Sequence, residues 1–478
     1  MMSAINKIYI RVSIVAMVLF LSGCTKNEDV IPPDVEDYPG NLWIEERMRR
    51  YYLWEDEIPE KDLLDARQEA ETFFFTLLTE KDGKKASDGS HYYYSTIEKK
   101  TDSPTRSYQG NGYSFGFEFQ YYYIEQLKVY ALAVLYVLPG SPAEKEGMRR
   151  GDWIMEIDGK SVSGDVGELH KALDTTLAPT VVFGSTRNFR EPVTERRKVT
   201  AAVVDDNPVF FKSIIESGGR RIAYLMYNHF TSGPTDEATD ELFNNTLREA
   251  FAWFKAQEAV DFILDLRYNG GGLVSSAQLL STMLAPASAL DDVFCNLTYN
   301  GHVNSYSDRV MKLDSRYMRQ GSQGENLNLT RLYVITSSRT ASASEAVING
   351  LRPYMDVFLI GEETEGKNVG SVTFEDDRYD WKLHPIVSRL SNKDGFSAYE
   401  DGFVPDLRCE EAGNTYYEYE IGDEREYMLN AALQYITGKT RAGSADSNAG
   451  PDIKALYNSL DSKKTNGAIL SPSLLGIQ

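Results

Sequence analysis

Ser337-Ser338-Arg339-Thr340-Ala341-Ser342-Ala343-Ser344-Glu345-Ala346-Val347-Ile348-Asn349-Gly350-Leu351 is the stretch on which the reading of this chain turns. Just before it, Leu332-Tyr333-Val334-Ile335-Thr336 is apolar and β-branched, the pattern of a buried strand. After it, small and apolar residues continue at helical spacing. A strand therefore hands over to a helix, with hydroxyls and one carboxylate crowded into the turn. Small side chains admit neighbouring backbone, and a helix start offers unpaired N–H groups and positive potential. Such a turn suits a developing oxyanion. The plainer reading is a hydroxyl-capped helix start. Composition does not choose between Ser342 and Ser344 as a nucleophile.

A second apolar strand pattern, Val357-Phe358-Leu359-Ile360-Gly361, is followed by Gly366-Lys367. A serine nucleophile needs a base, and a neutral lysine is one attested choice. The amine must be desolvated for its pKa to fall into the working range, and flanking apolar strands can supply that burial.

Ala341-Ser342-Ala343-Ser344-Glu345, Gly361-Glu362 and Gly366-Lys367 together resemble the carboxy-terminal processing proteases, tail-specific serine peptidases with a Ser/Lys dyad. The resemblance implies that the first serine of the Ser-Ala-Ser-Glu run is the nucleophile and that the lysine follows 25 residues on. Here 367 − 342 = 25. By the same resemblance Ser342 and Lys367 are the catalytic pair, with Glu345, one helical turn on, orienting them. Asp265-Leu266-Arg267-Tyr268-Asn269-Gly270-Gly271-Gly272 follows an apolar strand and matches another motif of that family. The resemblance places an oxyanion donor in the glycine run; Gly271, paired with the Ala343 N–H, is the assignment, with Gly270 and Gly272 as neighbouring alternatives. A phosphate site is the other use of a glycine run, but no Gly-Lys-Ser/Thr follows. Asp265 and Arg267 read as a structural ion pair. Asp401-Gly402-Phe403-Val404-Pro405-Asp406 matches the run that closes the family's protease domain. Two departures stand out: Asn368 follows the lysine and Ser371 occupies the place of a usual glutamine, and residues 286–330 are longer than usual.

Ahead of these motifs lies a different texture. Ser114-Phe115-Gly116-Phe117, Pro139-Gly140-Ser141-Pro142-Ala143 and Gly151-Asp152-Trp153-Ile154-Met155-Glu156-Ile157-Asp158-Gly159 resemble a PDZ domain. By that resemblance Ser114, Phe115, Gly116 and Phe117 form the carboxylate-binding element. A peptide C-terminus would be gripped by backbone N–H groups while it adds a strand to the sheet edge, and the two phenylalanines would favour apolar terminal side chains.

The chain start reads as a targeting segment. Lys7 and Arg11 are followed by an apolar run from Val12 to Leu21, too short for a comfortable membrane span. Leu21-Ser22-Gly23-Cys24 resembles a bacterial lipobox, which implies lipidation of Cys24 and tethering at the cell envelope. The expected organisation is 1–24 signal peptide, 25–40 flexible linker, 41–106 small N-terminal helical domain with a polar loop at its end, 107–205 PDZ-like domain, 206–440 protease domain and 441–478 loosely ordered tail, of which 469–475 could dock. The fold class expected is multidomain α/β: a ββα protease core of the crotonase and Clp-protease type, with an inserted PDZ-like β domain.

Across 478 residues the formal charge is −21. That disfavours nucleic acid as a partner, which needs a basic footprint. Beyond Cys24, Cys295 and Cys409 read as buried free thiols, and the five scattered histidines show no ligand spacing. No metal and no cofactor are expected. The expected activity is a serine endopeptidase acting on protein or peptide substrates with free C-termini. The alternative is a non-catalytic peptide-binding or scaffolding lipoprotein.

Overall fold

The structure is a computed structural model that describes residues 38–85, 89–100, 113–234, 239–303, 309–411, 417–439, 453–461, 469–470 and 475. Cys24, the segment read as signal peptide and residues 25–37 of the expected linker lie outside the described residues; the last two linker residues, Pro39 and Gly40, already belong to helix Pro39–Tyr51.

The protease unit is built on a six-stranded sheet in the order Val209–Ser217, Arg220–Tyr227, Asp261–Asp265, Arg331–Thr336, Asp356–Gly361, Leu407–Arg408. The first two strands form an antiparallel hairpin and the rest run parallel. Parallel neighbours need crossovers, and the helices Leu242–Ala256 and Ala343–Leu351 serve two of them. Strands covered on both faces read as continuous apolar runs, as Phe262-Ile263-Leu264 and Leu332-Tyr333-Val334-Ile335 do. One core packs beneath helices Val274–Leu284 and Ala343–Leu351; a second lies under helix Tyr427–Ile436. A four-stranded antiparallel sheet, Arg309–Lys312, Val293–Tyr299, Ile386–Ser391 and Val369–Ser371, flanks the first core. It absorbs part of the long 286–330 segment.

The PDZ-like unit has its own core, with Trp153, Phe183 and Leu132 buried. Its sheet runs Glu195–Thr200, Thr180–Thr186, Trp153–Ile157, Val129–Val137, Phe117–Ile124. Ser141 caps the Pro142–Lys145 turn by accepting from the Glu144 N–H, the geometry that Gly-Ser-Pro-Ala encodes.

Three expectations need correction. The N-terminal region is mixed, not helical: helix Pro39–Tyr51 is followed by strands His91–Tyr92 and Thr96–Lys99 within the stretch read as a polar loop. Thr96–Lys99 pairs with Trp381–His384 of the protease, a long-range partner that local pattern does not reveal. Phe115 and Phe117 do not line an open groove. Two-residue spacing puts both rings on one face, and that face is the PDZ core, where each meets Phe183 edge-on at 5.4 Å. Finally, the tail is not loose throughout: Ile453–Asn458 is an edge strand of the PDZ sheet, antiparallel to Phe117–Ile124.

Candidate active site

Helix Ala343–Leu351 begins where strand Arg331–Thr336 ends, and the turn between them is stitched to the glycine-rich loop by its hydroxyls. Thr340 Oγ1 donates to the Leu266 carbonyl at 2.9 Å, Ser344 Oγ to the Asn269 carbonyl at 3.0 Å, and Ser337 Oγ to the Arg267 carbonyl. Ser344 is therefore spent on packing. Ser342 is different. It takes φ 60°, ψ −110°, a backbone conformation costly for a residue with a Cβ. Its Oγ is buried and has no hydrogen-bond partner among the described residues. The Ala343 N–H opens the helix, with no preceding turn to accept from it.

Glu345 holds the site together. It is fully buried; Oε2 accepts from the Ser342 N–H at 2.7 Å and from the Lys367 N–H at 2.8 Å. Two bonds to one oxygen keep those two backbone nitrogens within 5.5 Å of each other. Oε1 accepts from the Gly366 N–H and from Thr364 Oγ1, each at 2.6 Å. Burial pushes its carboxyl up to about 7, against the pull of these four donors. Gly366 sits at φ +92°, where a Cβ would lie 2.2 Å from the Glu400 carbonyl oxygen, so only glycine permits this turn.

Lys367 is buried, with 1% of its surface exposed. Burial lowers its pKa to about 8, against the opposing pull of Asp82, Glu365 and Glu345. The ammonium lies 4.8 Å from the centre of the Tyr94 ring. Tyr94 and Asp82 belong to the N-terminal region. Asp82 accepts from the Tyr94 and Ser95 N–H groups at 2.9 and 3.0 Å and from the Tyr52 hydroxyl at 3.0 Å. Tyr92 and Tyr94 hydroxyls both reach Glu365 Oε1. The N-terminal region thus walls the lysine pocket. No spacing in the sequence pointed to Asp82, Tyr92 or Tyr94; the run of three tyrosines from Tyr92 to Tyr94 was the only trace.

Gly271 packs on the turn that carries Ser342. At φ +110°, a Cβ there would meet Ser342 Cβ at 2.9 Å and the Ala343 nitrogen at 3.1 Å. Its N–H donates to Asn269 Oδ1 at 2.9 Å, so an oxyanion would have to compete with or displace that bond. Asn368, next to the lysine, donates its side-chain amide to the Ser397 carbonyl at 2.6 Å. In the PDZ-like unit the Gly116 N–H donates to Ser114 Oγ at 3.0 Å, and the Phe115 and Gly116 carbonyls accept from Ala143 and Leu138. Cys295 and Cys409 are free and buried, and burial pushes both thiols up to about 12, which makes them poor nucleophiles.

Beside the site runs a buried ion network. Arg267 pairs with Asp265, Glu411 and Glu426, and Arg150 of the PDZ-like unit reaches Glu411 and the Tyr268 hydroxyl. Burial pushes the Glu411 carboxyl up, but the two guanidiniums prevail and hold it near 2. This network ties the PDZ-like unit to the loop that carries Gly271.

Three comparisons bear on identity. Residues 221–409 match peptidase family S41, 134–182 a PDZ domain and 41–96 the peptidase S41 N-terminal domain. A crystal structure described as that of an S41 protease from Bacteroides fragilis is 31% identical, with a TM-score of 0.71 over 83% of this chain and 97% of that one. A carboxyl-terminal-processing protease of Picosynechococcus is 26% identical over 65% of this chain and 68% of its own length. A chloroplastic C-terminal processing peptidase of Tetradesmus obliquus is 28% identical over 58% of this chain and 57% of its own length. With its strand–turn–helix at Ser342, glycine loop and PDZ-like unit, the chain belongs to peptidase family S41, the serine-type peptidases.

Proposed function

We propose that this protein is an endopeptidase that cuts protein substrates near their C-termini, with Ser342 as nucleophile and Lys367 as general base. The observation that carries the assignment is the single Glu345 carboxylate gripping the backbones of both residues, with the lysine desolvated beside it. Neutral Lys367 Nζ takes the proton from Ser342 Oγ as that oxygen attacks the peptide carbonyl carbon. The carbonyl oxygen becomes an oxyanion facing the Ala343 N–H and the Gly271 backbone. The Lys367 ammonium returns the proton to the departing amine, leaving an acyl-enzyme. Water then attacks the ester, passes its proton through Lys367 to Ser342, and frees the acid. Glu345 touches no substrate; it positions the pair. Ser342 Oγ has no hydrogen-bond partner among the described residues and the Lys367 ammonium lies 4.8 Å from the Tyr94 ring centre, so the dyad bond forms only once one of the two side chains reorients.

The PDZ-like unit supplies recognition of the substrate tail through its sheet edge, in keeping with the C-terminal processing relatives. Ser114, Phe115, Gly116 and Phe117 are assigned to the turn that would hold a terminal carboxylate, acting through backbone N–H groups. The leader pattern and Cys24 support a lipid anchor at the bacterial cell envelope; Cys24→Ser should release the protein from the membrane fraction.

The test is to incubate the protein with unfolded substrates that differ only in their last few residues and to map products by mass. Cuts near the C-terminus whose rate depends on those residues are expected. Intact substrates, or cuts indifferent to the terminus, would defeat the reading.

A further inference from the structure

The tail of this chain lies on two surfaces at once. Upstream, Ile453–Asn458 covers the free edge of Phe117–Ile124, the strand that follows the carboxylate turn. The pairing continues through side chains. Gln120 Nε2 donates to the Tyr457 carbonyl and Asn458 Nδ2 to Gln120 Oε1, each at 2.8 Å, and the Ser459 N–H donates to the Phe119 carbonyl at 3.0 Å. The Tyr457 ring lies 5.0 Å from His170, on helix Val166–Leu173, and 6.3 Å from Phe119. The tail strand therefore sits against the sheet edge with its aromatic side chain reaching the neighbouring helix. That is the way a peptide adds a strand to a PDZ sheet.

Downstream, the same tail reaches the glycine-rich loop of the protease unit. The Ile469 N–H donates to the Gly272 carbonyl at 3.0 Å, and the Val274 N–H to the Ile469 carbonyl at 3.2 Å. On its other side the Leu470 N–H donates to the Ser371 carbonyl at 2.9 Å. Ile469 thus bridges the glycine-rich loop and strand Val369–Ser371 as an inserted strand residue. Leu470 is buried in the main core. Gly272 adjoins the glycine whose Cβ position falls 2.9 Å from that of Ser342.

We propose that the two described parts of the C-terminal segment, Ile453–Asn458 and Ile469-Leu470, are intramolecular occupants of the substrate track, and that they report what the track accepts: an aromatic residue on a strand at the PDZ edge and an aliphatic pair beside the glycine loop. The inference rests on the protease reading for its catalytic arm only. Tyr457 and Ile469 are 469 − 457 = 12 residues apart, roughly 40 Å if extended. A substrate end of about a dozen residues is therefore long enough to engage both surfaces, and it must first displace the tail.

The test uses the full chain with Tyr457→Ala or Leu470→Asp, each also in a Ser342→Ala background, with Lys454→Ala, whose side chain is exposed, as control. A tethered occupant acts at an effective concentration of order 1 mM, so a free peptide of ~0.1 mM affinity would bind about tenfold more weakly to the intact protein. Fluorescence anisotropy of a labelled synthetic peptide spanning residues 451–475 should show about tenfold tighter binding to each tail variant than to the Ser342→Ala parent. Cleavage of an unfolded protein by the Ser342 forms should rise by a similar factor. Equal peptide binding by the parent and by whichever variants retain the parental circular dichroism spectrum would overturn the proposal. Tighter binding with no cleavage by any form would leave the occupied track standing and bring down the protease reading instead.

Discussion

Lys367 and Arg267 are both buried cations in one protein unit, yet their surroundings set opposite behaviour. Arg267 faces three carboxylates through bidentate and shared bonds, and burial is overcome by pairing. Lys367 has three carboxylates near it, Asp82, Glu365 and Glu345, and their pull on the ammonium is smaller than the cost of burying it. Burial therefore wins, and the amine's pKa falls to about 8. Burial alone does not decide how a cation titrates; what matters is whether pairing outweighs the cost of burial.

The strongest way to break the contrast is to remove the two reacting groups. Ser342→Ala and Lys367→Ala should each lower kcat/KM by about 10⁴–10⁶ while thermal unfolding shows the fold retained. Arg267→Ala should do the reverse. It leaves Asp265, Glu411 and Glu426 without their main partner and should cost about 3–5 kcal/mol in urea unfolding, so its activity loss would follow the unfolded fraction. If Arg267→Ala were as stable as the parent but inactive, the division between structural and reactive cation would be wrong.

Glu345→Gln sharpens the same point. An amide cannot accept from all four donors, so the Ser342 and Lys367 backbones lose their shared anchor. A shift of about 1 Å between reacting groups costs about 10² in kcat, and KM should stay near the parental value because Glu345 touches no substrate.

The two clusters also part company with pH. Native Lys367 titrates near 8 and the unfolded amine near 10.5, so the native state binds fewer protons between those values and stability rises with pH there. Glu411 is depressed from 4.5 to about 2, so its contribution is full above 4.5 and is lost as pH falls toward 2. Glu365→Gln gives the smallest predicted effect. It removes a negative charge that favours the ammonium, so the midpoint of the activity profile should move to lower pH, by about half a unit.

Much of the catalytic unit was legible in the sequence because its signals are local. The apolar runs, the hydroxyl-rich turn and the glycine run each specify their own conformation, and the 25-residue spacing from Ser342 to Lys367 carries the family register. What was missed is non-local. Asp82 and Tyr94 reach Lys367 from more than 270 positions away, since 367 − 94 = 273, and nothing in their own neighbourhood encodes that contact. Ile453–Asn458 read as polar tail because an edge strand on a finished sheet needs little hydrophobicity of its own. Phe115 and Phe117 were read as ligand-facing, although their period-two spacing equally fits the core they occupy.

The most direct test of the central claim is to label the protein with a fluorophosphonate between pH 6 and 10 and to follow adduct formation on Ser342 by peptide mass. The account predicts one modified serine, a rate that rises with pH through a midpoint near 8, and loss of that labelling in Lys367→Ala. A rate flat across that range, or unchanged by Lys367→Ala, would contradict it.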